Sequence, residues 1–165
     1  MNSLGPQSFY PSRFVSHKSW KLSQGFNLIE MVVVVTIIGM LAMIAVPAYT
    51  GLITRMKAKS TATDLYMALI KTRSEAIKRN ANVTLSVGSS GWQIYPSAAE
   101  DKVLEDHTIN GDVTLSGTAS VEYNSSGRIA GIVSFGVKAV MGSESSERCV
   151  STSLSGLPKV KSSAC

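Results

Sequence analysis

Glu30 is the residue best placed to do chemistry in this chain. It is the only charged side chain between Lys21 and Arg55, and it stands in front of an apolar run, Val32 to Val46, broken only by Thr36 and Gly39. A carboxylate at the edge of such a run is costly to desolvate unless a cation meets it. The chemistry implied is therefore an ion pair with an amine in a low-dielectric bundle. A second reading stays open on composition alone: near a helix start a negative charge suits the helix dipole, and the side chain can reach back to a membrane interface.

Two further sets of residues lie near the C-terminus. Cys149 and Cys165 enclose a short segment. In an oxidising compartment they would join and close a loop of about 15 residues, stabilising the fold by about 3 kcal/mol in the chain-entropy treatment. Two separate buried thiols are the alternative. Lys159 and Lys161 are two residues apart. On a strand they share one face about 6.6 Å apart, a spacing that suits two neighbouring phosphates. Arg148 is the candidate for a third contact. The plainer reading makes both lysines the solvent face of an edge strand, where lysine discourages unwanted pairing.

Nothing else forms a chemical set. His17 and His107 each stand alone, His107 in an acidic stretch where solvation is expected. The serines lack a Gly-x-Ser-x-Gly frame, the glycines form no phosphate loop, and the cysteines lack metal-ligand spacing. Trp92 and Tyr95 read as core or sheet surface before they read as a base-stacking platform. The expectation is a protein that is not an enzyme and has no metal or cofactor.

The elements that must position these residues follow from periodicity. Residues 25–48 are long and apolar enough to cross a bilayer as a helix and show no polar face. Pro47 cannot donate to the carbonyl of Met43, so a kink is expected there. Beyond it Ala58, Ala62, Leu65, Tyr66, Leu69, Ala76 and Ile77 recur at steps of three and four, the mark of an amphipathic helix, which should end near Asn80. From Val83 the period becomes two. Strands are expected at residues 83–87, 92–95, 113–115, 121–123, 128–135, 149–154 and 159–161, with a hairpin turn at residues 124–127. Residues 96–106 and 136–147 read as loops. The fold class is α+β: a long N-terminal helix packed on an antiparallel β-sheet head. The organisation is residues 1–25 as a basic leader stretch, 26–53 as a transmembrane helix, 54–80 as the amphipathic helix of the head, and 81–165 as the β-rich head.

Charge adds little. The formal net charge is +5. Arg13, Lys18 and Lys21 all lie in the leader, so its removal leaves 13 basic against 11 acidic side chains. Arg55, Lys57 and Lys59 follow the apolar run much as the leader's cations precede it, so counting positive charges does not orient the span.

Gly25-Phe26-Asn27-Leu28-Ile29-Glu30 followed by the apolar run resembles the N-terminal signature of type IV prepilins and type II secretion pseudopilins. The resemblance implies cleavage by a prepilin peptidase between Gly25 and Phe26, N-methylation of Phe26, and assembly with other pilins through the helix. Glu30 would then pair with the N-terminal amine of a neighbouring subunit, and Pro47 matches the family's helix proline. It also implies a single pass through the bacterial inner membrane before assembly, and a pilus reaching from periplasm to exterior afterwards. The head, with its many short strands and a hairpin over residues 123–132, looks like the GspH/FimT/FimU group. That group includes minor pilins of type IV pili, as priming or tip subunits, and type II secretion pseudopilins. FimT-type pilins that bind DNA in natural transformation carry Gly-Arg-x-Arg near the C-terminus. Here Gly156-Leu157-Pro158-Lys159-Val160-Lys161 keeps the glycine, has Leu157 for the first arginine and Lys159 for the second. A lysine point charge in place of an arginine fork implies DNA binding that is weak, salt-sensitive and sequence-independent.

Overall fold

The computed structural model describes residues 25–109 and 111–165; residues 1–24, with the leader's cations and His17, lie outside them. Helix α1 runs over Leu28–Arg79. Asn27 caps its start. The Asn27 side-chain oxygen accepts from the Ile29 N–H at 3.4 Å, and its carbonyl accepts from Glu30 and Met31 at 3.0 and 3.2 Å, satisfying amides that have no partner within the helix. The end is equally explicit. Asn80 has a left-handed φ of 50°, its N–H reaches the Ile77 carbonyl, and the Ala81 N–H reaches that of Ala76, each at 3.2 Å. This is a Schellman closure with asparagine in place of glycine. In the last turns the Arg79 guanidinium, bonded to Glu75 at 2.7 Å, holds that carboxyl below its ordinary range, with Lys78 adding to the effect.

The chain divides into two compact units after Ile38. In the first, the described residues 25–38 are exposed throughout. In the second, α1 is amphipathic. Ala58, Ala62, Leu65, Ala68, Leu69, Thr72 and Ala76 are buried. Tyr66 is half-buried, as a stripe-edge residue should be. Ile77, expected on the core stripe, is 49% exposed instead.

The head has two four-stranded antiparallel sheets. The first contains β1 (Val83–Gly88), β2 (Gly91–Pro96), β3 (Glu105–Thr108) and β5 (Ser120–Tyr123), in the order β3-β2-β1-β5. The second contains β4 (Val113–Gly117), β6 (Ser134–Met141), β7 (Glu144–Thr152) and β8 (Pro158–Lys161), in the order β4-β6-β7-β8. Alternation puts Val83, Leu85, Ile94, Val121 and Tyr123 of one sheet, and Leu115, Phe135, Val137 and Val150 of the other, into one core with α1. Polar ties fasten the helix at two levels: Lys57 pairs with Asp112 ahead of β4, and Lys71 with Glu105 on β3.

Three expectations are corrected. The loop over residues 96–106 gives way to β3 from Glu105, because that strand pairs with β2 and needs no apolar run of its own. Residues 128–133 form no strand, and β5 takes its ladder from β1, so the hairpin over residues 123–132 does not close. Residues 136–147 are not a loop. They hold most of β6 and the start of β7, joined at Gly142 with a φ of 60°. Phe135, Val137 and Ala139 carry the core face there, but Val140 on the outer face breaks the alternation, and β7 begins Glu144-Ser145-Ser146-Glu147-Arg148, polar on both faces.

Candidate functional site

At the N-terminal end, Phe26 is 77% exposed and Glu30 lies exposed in the first turn of α1. Leu28, Ile29, Met31, the valines from 32 to 35, Ile37 and Ile38 present apolar side chains around the whole circumference. An 18-residue window of this helix has a mean hydropathy of 2.6 with none of it buried. By length and composition it can cross a membrane. The result is an apolar stretch of helix with one carboxylate in its first turn. Position 47 is helical, and α1 continues through Pro47 although proline lacks the N–H that would bond Met43.

At the other end of the chain Cys149 and Cys165 are joined, with an S–S distance of 2.05 Å and Cα atoms 4.9 Å apart. Lys159 lies opposite Ser151, and Lys161 opposite Cys149. The two lysines are exposed on one face and have no ion-pair partner among the described residues. Arg148 does not join them. It neighbours Cys149 along β7, so the pleat sends it to the opposite face, where its guanidinium donates to the Ser162 hydroxyl. The proposed trio of cations is therefore a pair.

Gly156, the glycine that the DNA-binding resemblance rests on, has a structural task of its own. Its φ is +78°, and a Cβ there would lie 2.3 Å from the Gly127 carbonyl oxygen and 2.8 Å from the Tyr123 ring. Tyr123 is fully buried and donates its hydroxyl to the Gly156 carbonyl at 3.1 Å, while Arg73 Nε donates to the Gly127 carbonyl at 3.0 Å. The end of α1, the turn after β5 and the turn before β8 thus close on one another. Burial pushes the Tyr123 hydroxyl up to about 12, against a smaller opposing effect of Arg73.

A sequence model of the family described as "Type II transport protein GspH" matches residues 61–156, more than half of the chain. The chain belongs to the GspH family. Its fold is that of Pseudomonas aeruginosa type IV minor pilin FimU, at 18% identity and a TM-score of 0.57, over 67% of this chain and 94% of FimU. It is also that of EpsH, a minor pseudopilin of the type 2 secretion system of Vibrio cholerae, at 13% identity and a TM-score of 0.54, over 64% of this chain and 97% of EpsH. The long helix on antiparallel sheets is thus a pilin-like fold, shared with a minor pilin and with a minor pseudopilin.

For a GspH-family head the sequence reading missed the Tyr123, Arg73 and Gly127 closure. The available signal was Asn124-Ser125-Ser126-Gly127: the Asn124 side-chain oxygen accepts from the Ser126 and Arg128 N–H groups, each at 3.0 Å, which fixes the turn. His107 is also not a solvated loop residue. It sits on β3 with its ring stacked on Trp92, centroids 4.2 Å apart, which half-buries it. Trp92 itself is core, as expected, and Tyr95 is half-buried. Among the described residues no cluster of His, Cys, Asp and Glu forms a metal site.

Proposed function

We propose that this chain is a minor pilin of a type IV pilus, of FimT/FimU type, acting as a priming or tip subunit. The observation that carries this reading is the uncovered apolar half of α1, preceded by Gly25-Phe26-Asn27-Leu28-Ile29-Glu30. A prepilin peptidase cuts between Gly25 and Phe26, and Phe26 is N-methylated. The mature chain waits in the inner membrane and then enters the pilus core. There Glu30 meets the Phe26 amine of a neighbouring subunit. Both charges leave water together, so each supplies the partner the other needs. The head, closed by Cys149 and Cys165, faces the periplasm and then the exterior.

The test is Glu30→Ala in the full-length protein. Processing should proceed, because the scissile bond is untouched, while incorporation into sheared pili should fall sharply. Normal incorporation of the variant would remove the assembly role from Glu30.

A second reading is favoured by the matching family's own description: a GspH-type pseudopilin of type II secretion. The two readings share the helix chemistry and differ in the machine served. Deleting the gene separates them, since loss of twitching marks a pilus subunit and loss of exoprotein release marks a pseudopilin.

A further inference from the structure

The hairpin that fails to close leaves a seam. The Asn124 N–H donates to the Arg128 carbonyl at 3.0 Å, and the Thr118 N–H donates to the Ser134 carbonyl at 3.2 Å. These two bonds fit one antiparallel register, in which Glu122 would face Ala130 and Ser120 would face Ile132. Between them, among the described residues, no hydrogen bond joins β5 to residues 129–133. The strip is held at both ends and open in the middle.

The cause is local. Ile129 is buried at 7% exposure and Val133 is half-buried, so both anchor the segment to the core. Gly131, midway between them, has no side chain to bury, and a Cβ there would meet only open space. The opening is a cleft of about 540 Å³ lined in part by Ser120, Glu122, Arg128, Ile129, Gly131 and Val133.

Backbone phase decides what this cleft offers. The Val87 N–H bonds the Ala119 carbonyl at 2.7 Å, which points the main-chain groups of Ala119, Val121 and Tyr123 toward β1. Those of Ser120 and Glu122 point the other way, into the seam. Two donors and two acceptors at strand spacing are the template for an added strand. Arg128, at one end, is exposed and has no carboxylate partner among the described residues. The Glu122 carboxylate is already engaged, accepting from Asn82 Nδ2 at 2.9 Å.

We propose that the seam between β5 and residues 128–133 is a docking site for an extended, carboxylate-bearing peptide segment of a partner polypeptide, which adds to the β5 edge and places its acid on Arg128. The open stretch between the bonded Thr118 and Asn124 is residues 119–123, so it accepts about five residues in register, with a sixth carrying the acid to Arg128. Small or β-branched side chains at alternate positions fit over Ile129 and Val133. The site does not depend on which secretion or pilus machine the chain serves.

The test uses the full-length protein in detergent micelles and a blocked hexapeptide of alternating Thr and Val ending in Asp. Amide hydrogen exchange should slow at Ser120 and Glu122, and not at Val121, which is already bonded to β1. Arg128→Glu should weaken binding of this peptide about fivefold or more and favour the same peptide ending in Lys. Ser120→Pro removes one outward donor without touching the β1 ladder and should weaken binding about tenfold. Unchanged exchange at Ser120 and Glu122 with millimolar peptide would overturn the proposal, as would affinity indifferent to the charge at position 128. Should Ser120→Pro fail to fold, the charge reversal at Arg128 decides alone.

Discussion

The Tyr123 hydroxyl donates to the Gly156 carbonyl at 3.1 Å, joining the end of β5 to the turn that leads into β8. These are the edge strands of different sheets. With Arg73 on the Gly127 carbonyl, this contact ties both sheets to the last turns of α1. Tyr123→Phe leaves a buried acceptor unpaired and should cost about 1–2 kcal/mol in chemical denaturation, with the fold retained.

The same tyrosine makes the head alkali-sensitive. Its hydroxyl is pushed up to about 12 in the folded state, against about 10 in an unfolded chain. Below pH ~10 both states hold the proton and stability is at its full value. As pH rises from ~10 to ~12 only the unfolded chain loses the proton, so stability falls, by about 2–3 kcal/mol in all. Denaturation midpoints across this window should drop in the wild type, and the Tyr123→Phe variant should lose this part of the slope.

Gly156→Ala should destabilise by more than a helix-interior glycine change does, about 2 kcal/mol or more. It combines a positive φ with a Cβ pressed on the Gly127 carbonyl and the Tyr123 ring. The glycine of the C-terminal motif is therefore explained by packing alone, with no ligand needed.

Replacing Cys149 and Cys165 by serine should lower stability by about 3 kcal/mol, since the bridge closes a loop with a sequence separation of 16. Denaturation with and without reductant checks this, and the serine variant should be indifferent to reductant.

Lys159→Ala/Lys161→Ala should change stability by less than about 0.5 kcal/mol, as both side chains are exposed and unpaired among the described residues. With Arg148 on the other face, two point charges remain for phosphate. Duplex DNA should therefore bind the full-length protein in micelles feebly, and only at low salt. Retention at about 0.15 M salt that the double substitution abolishes would restore a DNA-uptake role.

The sequence made the helix and its C-terminal end legible, because Asn80 and the Ala/Leu stripe act within a few residues, whereas the Asn27 cap emerged only from the structure. The first two strands were equally plain in their alternation. The β6–β7 hairpin was hidden because Val140 interrupts the alternation of β6 and the first five residues of β7, Glu144 to Arg148, offer no apolar side chain to alternate. Residues 128–133 misled in the opposite direction: their apolar content anchors a connection, and Gly131 keeps it from pairing. The bridge was legible because Cys149 and Cys165 are the two cysteines of the chain and bracket one short segment. Arg148 was misassigned because sequence distance does not reveal which side of the pleat a residue takes relative to a neighbouring strand.

The most direct measurement is mass spectrometry of this protein recovered from sheared surface filaments. The account predicts an N-terminal peptide that begins at Phe26 and carries one methyl group on its amine. A filament-borne chain that begins upstream of Phe26, or an unmethylated one, would contradict it, as would absence of the protein from filaments of a strain that expresses it.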